Sequence, residues 1–208
     1  MTVFAVLLTA IFAAALVWAE TAKSPVLRWF KMLASTGFIA VALSVGAVSD
    51  TYGQIVLAAL VLSWIGDLLL TFASRGAFLG GLVAFLLGHV AYSVAFGTLG
   101  VDPVVGGAAA VAVAIVAVFV WRWLAPHVGD MAVPVVAYIV VISVMVVLAF
   151  GTYGEGSAWL IPVGATLFFV SDLFVARNQF VVSDTVNRIW GLPLYYLAQV
   201  LLALSVMG

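Results

Sequence analysis

Two carboxylates and one imidazole draw attention because everything around them is apolar. Asp67 falls in "SWIGDLLLTF", Asp172 in "FFVSDLFVA" and His89 in "GHVAYSVAF". An Asp near the centre of a membrane helix costs about 2.5–3.5 kcal/mol, so the pair costs roughly 5–7 kcal/mol before compensation. Such a pair suits acid–base chemistry, in which one carboxyl carries a proton and the other is ionised. It could equally serve as hydrogen-bonding glue between helices. Further polar residues recur at helical spacing. Ser63 and Thr71 lie one turn before and after Asp67, Tyr92 and Ser93 follow His89 at i+3 and i+4, and Tyr195, Tyr196 and Gln199 cluster near the C-terminus. Lys31 is the only lysine well inside an apolar run, placed to snorkel or to pair with a carboxylate. Five segments that each contribute polar groups argue for one shared site.

The elements that must position these groups follow from composition. Of 208 residues 67% are hydrophobic and 7% charged, against about 25% charged in soluble domains. This is an all-α, polytopic, integral membrane protein forming a single membrane domain, with about eight transmembrane helices. The spans are expected near 2–18, 27–48, 54–72, 78–99, 103–123, 132–150, 158–176 and 189–207, separated by short breaks such as "AETAKSP", "ASRG" and "APHVGD". Lys23, Arg28, Lys31, Arg75, Arg122, Arg177 and Arg188 all fall at or beside odd-numbered connections, whereas the even ones carry Asp50, Asp102 and Glu155. The positive-inside tendency then makes the odd connections cytoplasmic and leaves both termini outside, the expected setting being a bacterial inner membrane. No basic residue precedes Lys23, so the first span reads as a retained helix rather than a signal peptide.

The second half echoes the first at an offset of about 105 residues, pairing the Asp67 stretch with that of Asp172 and "GHVAYSVAF" with "GLPLYYLAQ". Two four-helix halves related in this way would form a parallel pseudo-repeat about an axis along the membrane normal. The aspartates would then occupy equivalent positions. Trp18, Trp121, Trp123 and Trp159 fit interfacial anchors. The pairs Gly80-Gly81 and Gly106-Gly107 permit close helix packing within or between chains, which leaves oligomeric state open.

"KML" at Lys31, "SWIGDLLL" at 63–70, "FLGGLVAFLLGHVAY" at 78–92, "AYIVVISVM" at 137–145, "GATLFFVSDLFVA" at 164–176 and "YYLAQVLL" at 195–202 together resemble the YhhN family of membrane lysoplasmalogenases. Met32 departs from the proline expected after the lysine in many members. The resemblance implies an eight-helix enzyme that opens the vinyl ether of a lysoplasmalogen, giving a fatty aldehyde and a glycerophospho-alcohol. Asp67 and Asp172 would then form the acid/base pair, with His89 shuttling the proton or orienting water. Ser63, Tyr92, Tyr195, Tyr196 and Gln199 would position substrate or water. Lys31, with Arg177 or Arg188, would meet the phosphate. The partners implied are a lysophospholipid substrate and membrane lipid; no nucleic acid and no cofactor is expected.

Other chemistries fit less well. A three-histidine zinc hydrolase is short of ligands, since the chain has two histidines, one of them His127 in a Pro-His loop; two aspartates and one histidine could still form a metal site. No G-x-S-x-G stretch occurs, and no lysine follows Lys31 to hold retinal. There is no cysteine to act as nucleophile or thiolate ligand. The rival class is a proton-coupled carrier of small molecules or lipid, which would use intramembrane carboxylates equally well. Product formed in detergent, without a gradient, separates the two.

Overall fold

The computed structural model describes residues 1–154 and 159–207. Glu155, expected in the sixth connection, lies outside the described residues. The helices are α1 (Thr2–Thr21), α2 (Leu27–Ser44), α3 (Thr51–Leu69), α4 (Arg75–Thr98), α5 (Pro103–Leu124), α6 (Ala132–Gly154), α7 (Leu160–Ala176) and α8 (Thr185–Leu204). Four begin at side-chain caps: Asp50, Ser74, Asp102 and Asp184 each accept a backbone N–H from the first turn of α3, α4, α5 and α8. The acids that mark the second and fourth connections in the sequence are thus helix caps.

Seven of the helices are long and apolar enough to cross a membrane. The less apolar α2, with Arg28 and Lys31 in its first two turns, is not among them; it packs against α1, α3 and α8. The protein is an integral, multi-pass membrane protein. Its most extensive pairings are α1 with α2, α3 with α4, α5 with α6 and α7 with α8. The contacts between pairs recur four helices on: α2 packs on α3 as α6 packs on α7, and α2 on α8 as α6 on α4. The correspondence fails at the edges, where α1 also packs on α8 while α5 keeps most of its surface exposed.

The structure moves several expected boundaries. The second span stops at Ser44 rather than near 48, because the chain turns through Gly46 with φ +90°, a conformation that favours glycine. The third helix starts earlier, behind Asp50, and stops at Leu69. Thr71 therefore falls in the following turn, its hydroxyl bonded to the Leu68 carbonyl, and the expected polar stripe does not extend past Asp67. The last helix starts at Thr185 rather than 189, and α7 runs on into a π-helical turn, Arg177–Val181. Asp67 consequently lies in the last turn of α3 rather than at its centre, so a helix-centre insertion cost overstates its burden.

Candidate active site

Asp67 is held from two other helices. Lys31 and Ser35 are four residues apart on α2 and so share a face. Lys31 Nζ stands 3.2 Å from Asp67 Oδ1, and Ser35 Oγ donates to Oδ2 at 2.7 Å. From α8, Tyr195 Oη donates to the same Oδ2 at 2.6 Å. Tyr196 backs this group, its Oη 3.1 Å from Ser35 Oγ. The Asp67 side chain is 3% exposed and that of Lys31 13%. A carboxylate in the last turn of a helix opposes the helix dipole, so local helix preference does not account for Asp67. The ammonium and the two hydroxyls do.

Asp172 on α7 is held more sparsely. Tyr138 Oη, from α6, donates to Oδ2 at 2.6 Å, and His89 Nε2, from α4, lies 3.7 Å from the same oxygen. His89 is fully buried, with its ring tilted on Phe168 at 4.5 Å and edge-on to Tyr138 at 5.2 Å. Neither imidazole nitrogen has a hydrogen-bond partner among the described residues. The pattern repeats between the two aspartates. Each takes one partner from the second helix of its own half, Lys31 or Tyr138, and one from the last helix of the other half, Tyr195 or His89.

Both aspartates line one cavity of about 680 Å³, together with Lys31, Tyr138 and Tyr195, a size suited to a small amphiphile. Its wall is largely apolar, with Phe85, Ile142 and Phe169, whereas Glu20, Arg75, Asn187 and Arg188 bring polar groups to the end that carries the odd connections. Small residues shape this wall. A Cβ on Gly66 would stand 2.6 Å from the Phe85 ring, which itself lies edge-on to Tyr195 with centroids 5.9 Å apart.

The other residues singled out in the sequence sit elsewhere. Tyr92 donates to Gln199 Oε1 at 2.7 Å in a buried pair off the cavity wall. Ser63 is buried beside Gly88 with no partner for its hydroxyl among the described residues. Ser93 bonds back to the His89 carbonyl and not toward the aspartates. Lys31 is engaged by Asp67. Arg177 is spent at the α7–α8 connection, on Asp184 at 3.0 and 3.1 Å and on Asn187 at 2.6 Å, and its guanidinium holds the Asp184 carboxyl below the usual carboxylate range. Among the described residues no three His, Asp or Glu side chains converge as metal ligands.

Ser35 and Tyr138 escaped the sequence reading. Ser35 stands one turn beyond Lys31, a spacing that could have revealed it. Tyr138 lies in an apolar stretch with no polar neighbour at i±4 to mark it.

A bundle of apolar helices enclosing two differently supported carboxylates on one cavity wall defines a polytopic membrane protein with buried acidic groups at a shared cavity. The chain belongs to the YhhN family, whose model matches residues 26–206. It is 33% identical over 153 residues to a Bos taurus protein named lysoplasmalogenase TMEM86A, a match covering 70% of this chain and 62% of that one. A Mycobacterium bovis protein named lysoplasmalogenase is 34% identical over 169 residues, covering 76% of this chain and 62% of its own length. A Mus musculus protein named lysoplasmalogenase TMEM86B is 32% identical over 148 residues, covering 71% and 61%. The chain thus spans about 62% of the length of such relatives. No solved structure matches it.

Proposed function

We propose that the chain hydrolyses the vinyl ether bond of a lysoplasmalogen, or of a related lyso-ether lipid, within the membrane. The observation that carries this reading is the contrast between two carboxylates on one cavity wall. Asp67 meets an ammonium and two hydroxyls, the surroundings of an ionised carboxylate, whereas Asp172 meets one phenol and an imidazole. The names of the relatives supply the bond.

In this reading the alkenyl chain occupies the apolar part of the cavity and the vinyl ether lies between the aspartates. Protonated Asp172 gives its proton to the β-carbon of the vinyl group, leaving an oxocarbenium ion that ionised Asp67 steadies. Water adds to the cationic carbon and loses a proton to Asp172, which regenerates the acid. The resulting hemiacetal passes its hydroxyl proton to the departing glycerol oxygen, giving a fatty aldehyde and a glycerophospho-alcohol. One water is consumed. His89, behind Asp172 and off the cavity wall, acts by orienting that carboxyl. The basic residues gathered at the odd connections favour a cytoplasmic mouth for the cavity, with both termini on the opposite side.

The test is aldehyde release from a lysoplasmalogen by detergent-purified protein, alongside Asp67→Asn, Asp172→Asn and a chelator arm. Release in wild type that both substitutions abolish and chelator leaves unchanged supports the reading. Turnover retained in both variants overturns the assignment of the aspartates. Absence of release from folded wild type overturns the substrate, and uptake of a solute into vesicles would then support a carrier.

A further inference from the structure

We propose that Arg188, with Lys23 and Arg28, forms a phosphate subsite at the mouth of the main cavity. The inference rests on the proposed lipid reading and adds to it where the headgroup goes. Among the described residues three basic side chains line the main cavity: Lys31, paired with the proposed catalytic Asp67, Arg75, and Arg188, paired with Glu20. Arg188 alone also lines a second, smaller cavity of about 290 Å³, shared with Glu20, Lys23, Arg28 and Thr71. Arg188 and Glu20 both line the two cavities and so stand between an apolar chamber that holds the aspartates and a polar side pocket with three cations and one carboxylate.

The spacing along α8 fits a lysolipid. Arg188 and Tyr195 are seven residues apart, so they share a face about 10 Å apart along the axis. Tyr195 bonds directly to Asp67. The seven bonds from the vinyl β-carbon of a lysolipid to its phosphorus span a comparable length, so a vinyl ether held at the aspartates delivers its phosphate to Arg188. Glu20 holds that guanidinium at 2.6 Å from Oε2, which fixes its aim before a ligand arrives. Arginine presents paired N–H donors that match phosphate oxygens, and Lys23 and Arg28 add charge around it. The same chemistry would take a free inorganic phosphate, so the test separates the two sources.

The experiment measures binding rather than turnover, with a saturated 1-alkyl lysophospholipid that has no vinyl ether and the matching 1-alkylglycerol that has no phosphate. Titrations use the detergent-purified full chain and tryptophan fluorescence. In wild type the phospholipid binds at least tenfold tighter than the alkylglycerol. Arg188→Gln brings that ratio to about one without changing the alkylglycerol affinity, Arg188→Lys restores part of it, and Arg122→Gln, outside both cavities, leaves it intact. Should Arg188→Gln fail to fold, the double variant Lys23→Gln/Arg28→Gln lowers the ratio at least threefold. A ratio near one in wild type, or one that these substitutions do not alter, overturns the subsite. Inorganic phosphate that blocks the alkylglycerol as well as the phospholipid overturns the headgroup assignment in favour of a free-anion site. Because no bond is cleaved, these outcomes stand apart from failure of the hydrolase reading, which shows only as missing aldehyde.

Discussion

Tyr195 Oη stands 2.6 Å from Asp67 Oδ2, so a phenol on the last helix closes onto a carboxylate on the third. Tyr138, on α6, makes a bond of the same length to Asp172, 2.6 Å. The two phenols are not equally important. Asp67 without Tyr195 still has Lys31 and Ser35, whereas Asp172 without Tyr138 has, among the described residues, only the imidazole 3.7 Å away. Tyr138→Phe is therefore expected to lower kcat by at least tenfold, and Tyr195→Phe by less. Steady-state aldehyde release by the two purified variants checks the order; a larger loss in Tyr195→Phe would reverse the roles given to the aspartates.

Removing one member of the Lys31–Asp67 pair strands the other. Breaking a buried ion pair costs about 3–5 kcal/mol because an uncompensated charge remains. Asp67→Asn should lower the thermal midpoint markedly, and Lys31→Met added to it should recover most of that loss while activity stays absent. Thermal unfolding in detergent, read beside turnover, separates the stabilising part of the pair from its chemistry. Equal midpoints for the single and double variants would count against a charged pair.

His89 has no hydrogen bond to lose among the described residues, and it packs against Phe168 and Tyr138. As a positioning residue, it should affect kcat and leave KM nearly alone. His89→Phe preserves much of the packing and, with no proton transfer of its own to lose, is expected to lower kcat by less than the roughly 10²-fold of lost acid–base assistance. A rise in KM with kcat intact would assign the ring to substrate binding.

At the α7–α8 connection, Arg177 depresses the titration of Asp184. The sign follows from linkage. A carboxyl whose folded pKa is depressed lends stability above its unfolded pKa and loses it as pH falls through the lower, folded value. The π-helical turn and the start of α8 should thus stay ordered at neutral pH and loosen only in acid, below about pH 4. Hydrogen exchange over 177–187, corrected for intrinsic rates, is the measurement. Asp184→Asn should loosen the segment at neutral pH and remove the acid step.

Gly66→Ala would push a methyl against the Phe85 ring, which is wedged against Tyr195 and Phe168 with centroids 5.9 and 6.2 Å away. Overpacking of this kind costs about 1–3 kcal/mol, and here the strain passes toward Tyr195. Gly107→Ala meets nothing within 4 Å and should be neutral. Thermal midpoints of the two variants test the contrast.

How legible this was from sequence depends on the kind of signal. Asp67, Asp172 and Lys31 announced themselves because a charge in an apolar run has few readings. The echo between the halves has its counterpart in the helix packing, which repeats in the same order except at the edges. Helix ends were less legible. Thr71 follows Asp67 at helical spacing, yet α3 ends two residues earlier, because an apolar run does not mark where the backbone turns. Hydroxyls were least legible. Ser35 and Tyr138 matter through the helix they face, whereas Ser63 and Ser93, equally prominent in sequence, face a helix seam or their own backbone.

The Lys31–Asp67 pair also bears on how such a chain enters a bilayer. Both members belong to α2 and α3, neighbours in order of synthesis, so the hairpin they form can cancel its two charges before any later helix emerges. Tyr195 arrives 128 residues after Asp67 and finds a carboxylate already neutralised. Asp172 is served in the opposite order, since Tyr138 and His89 both precede it on the ribosome and are waiting when α7 inserts. Each carboxylate thus has at least one partner laid down at, or next to, the moment it leaves water.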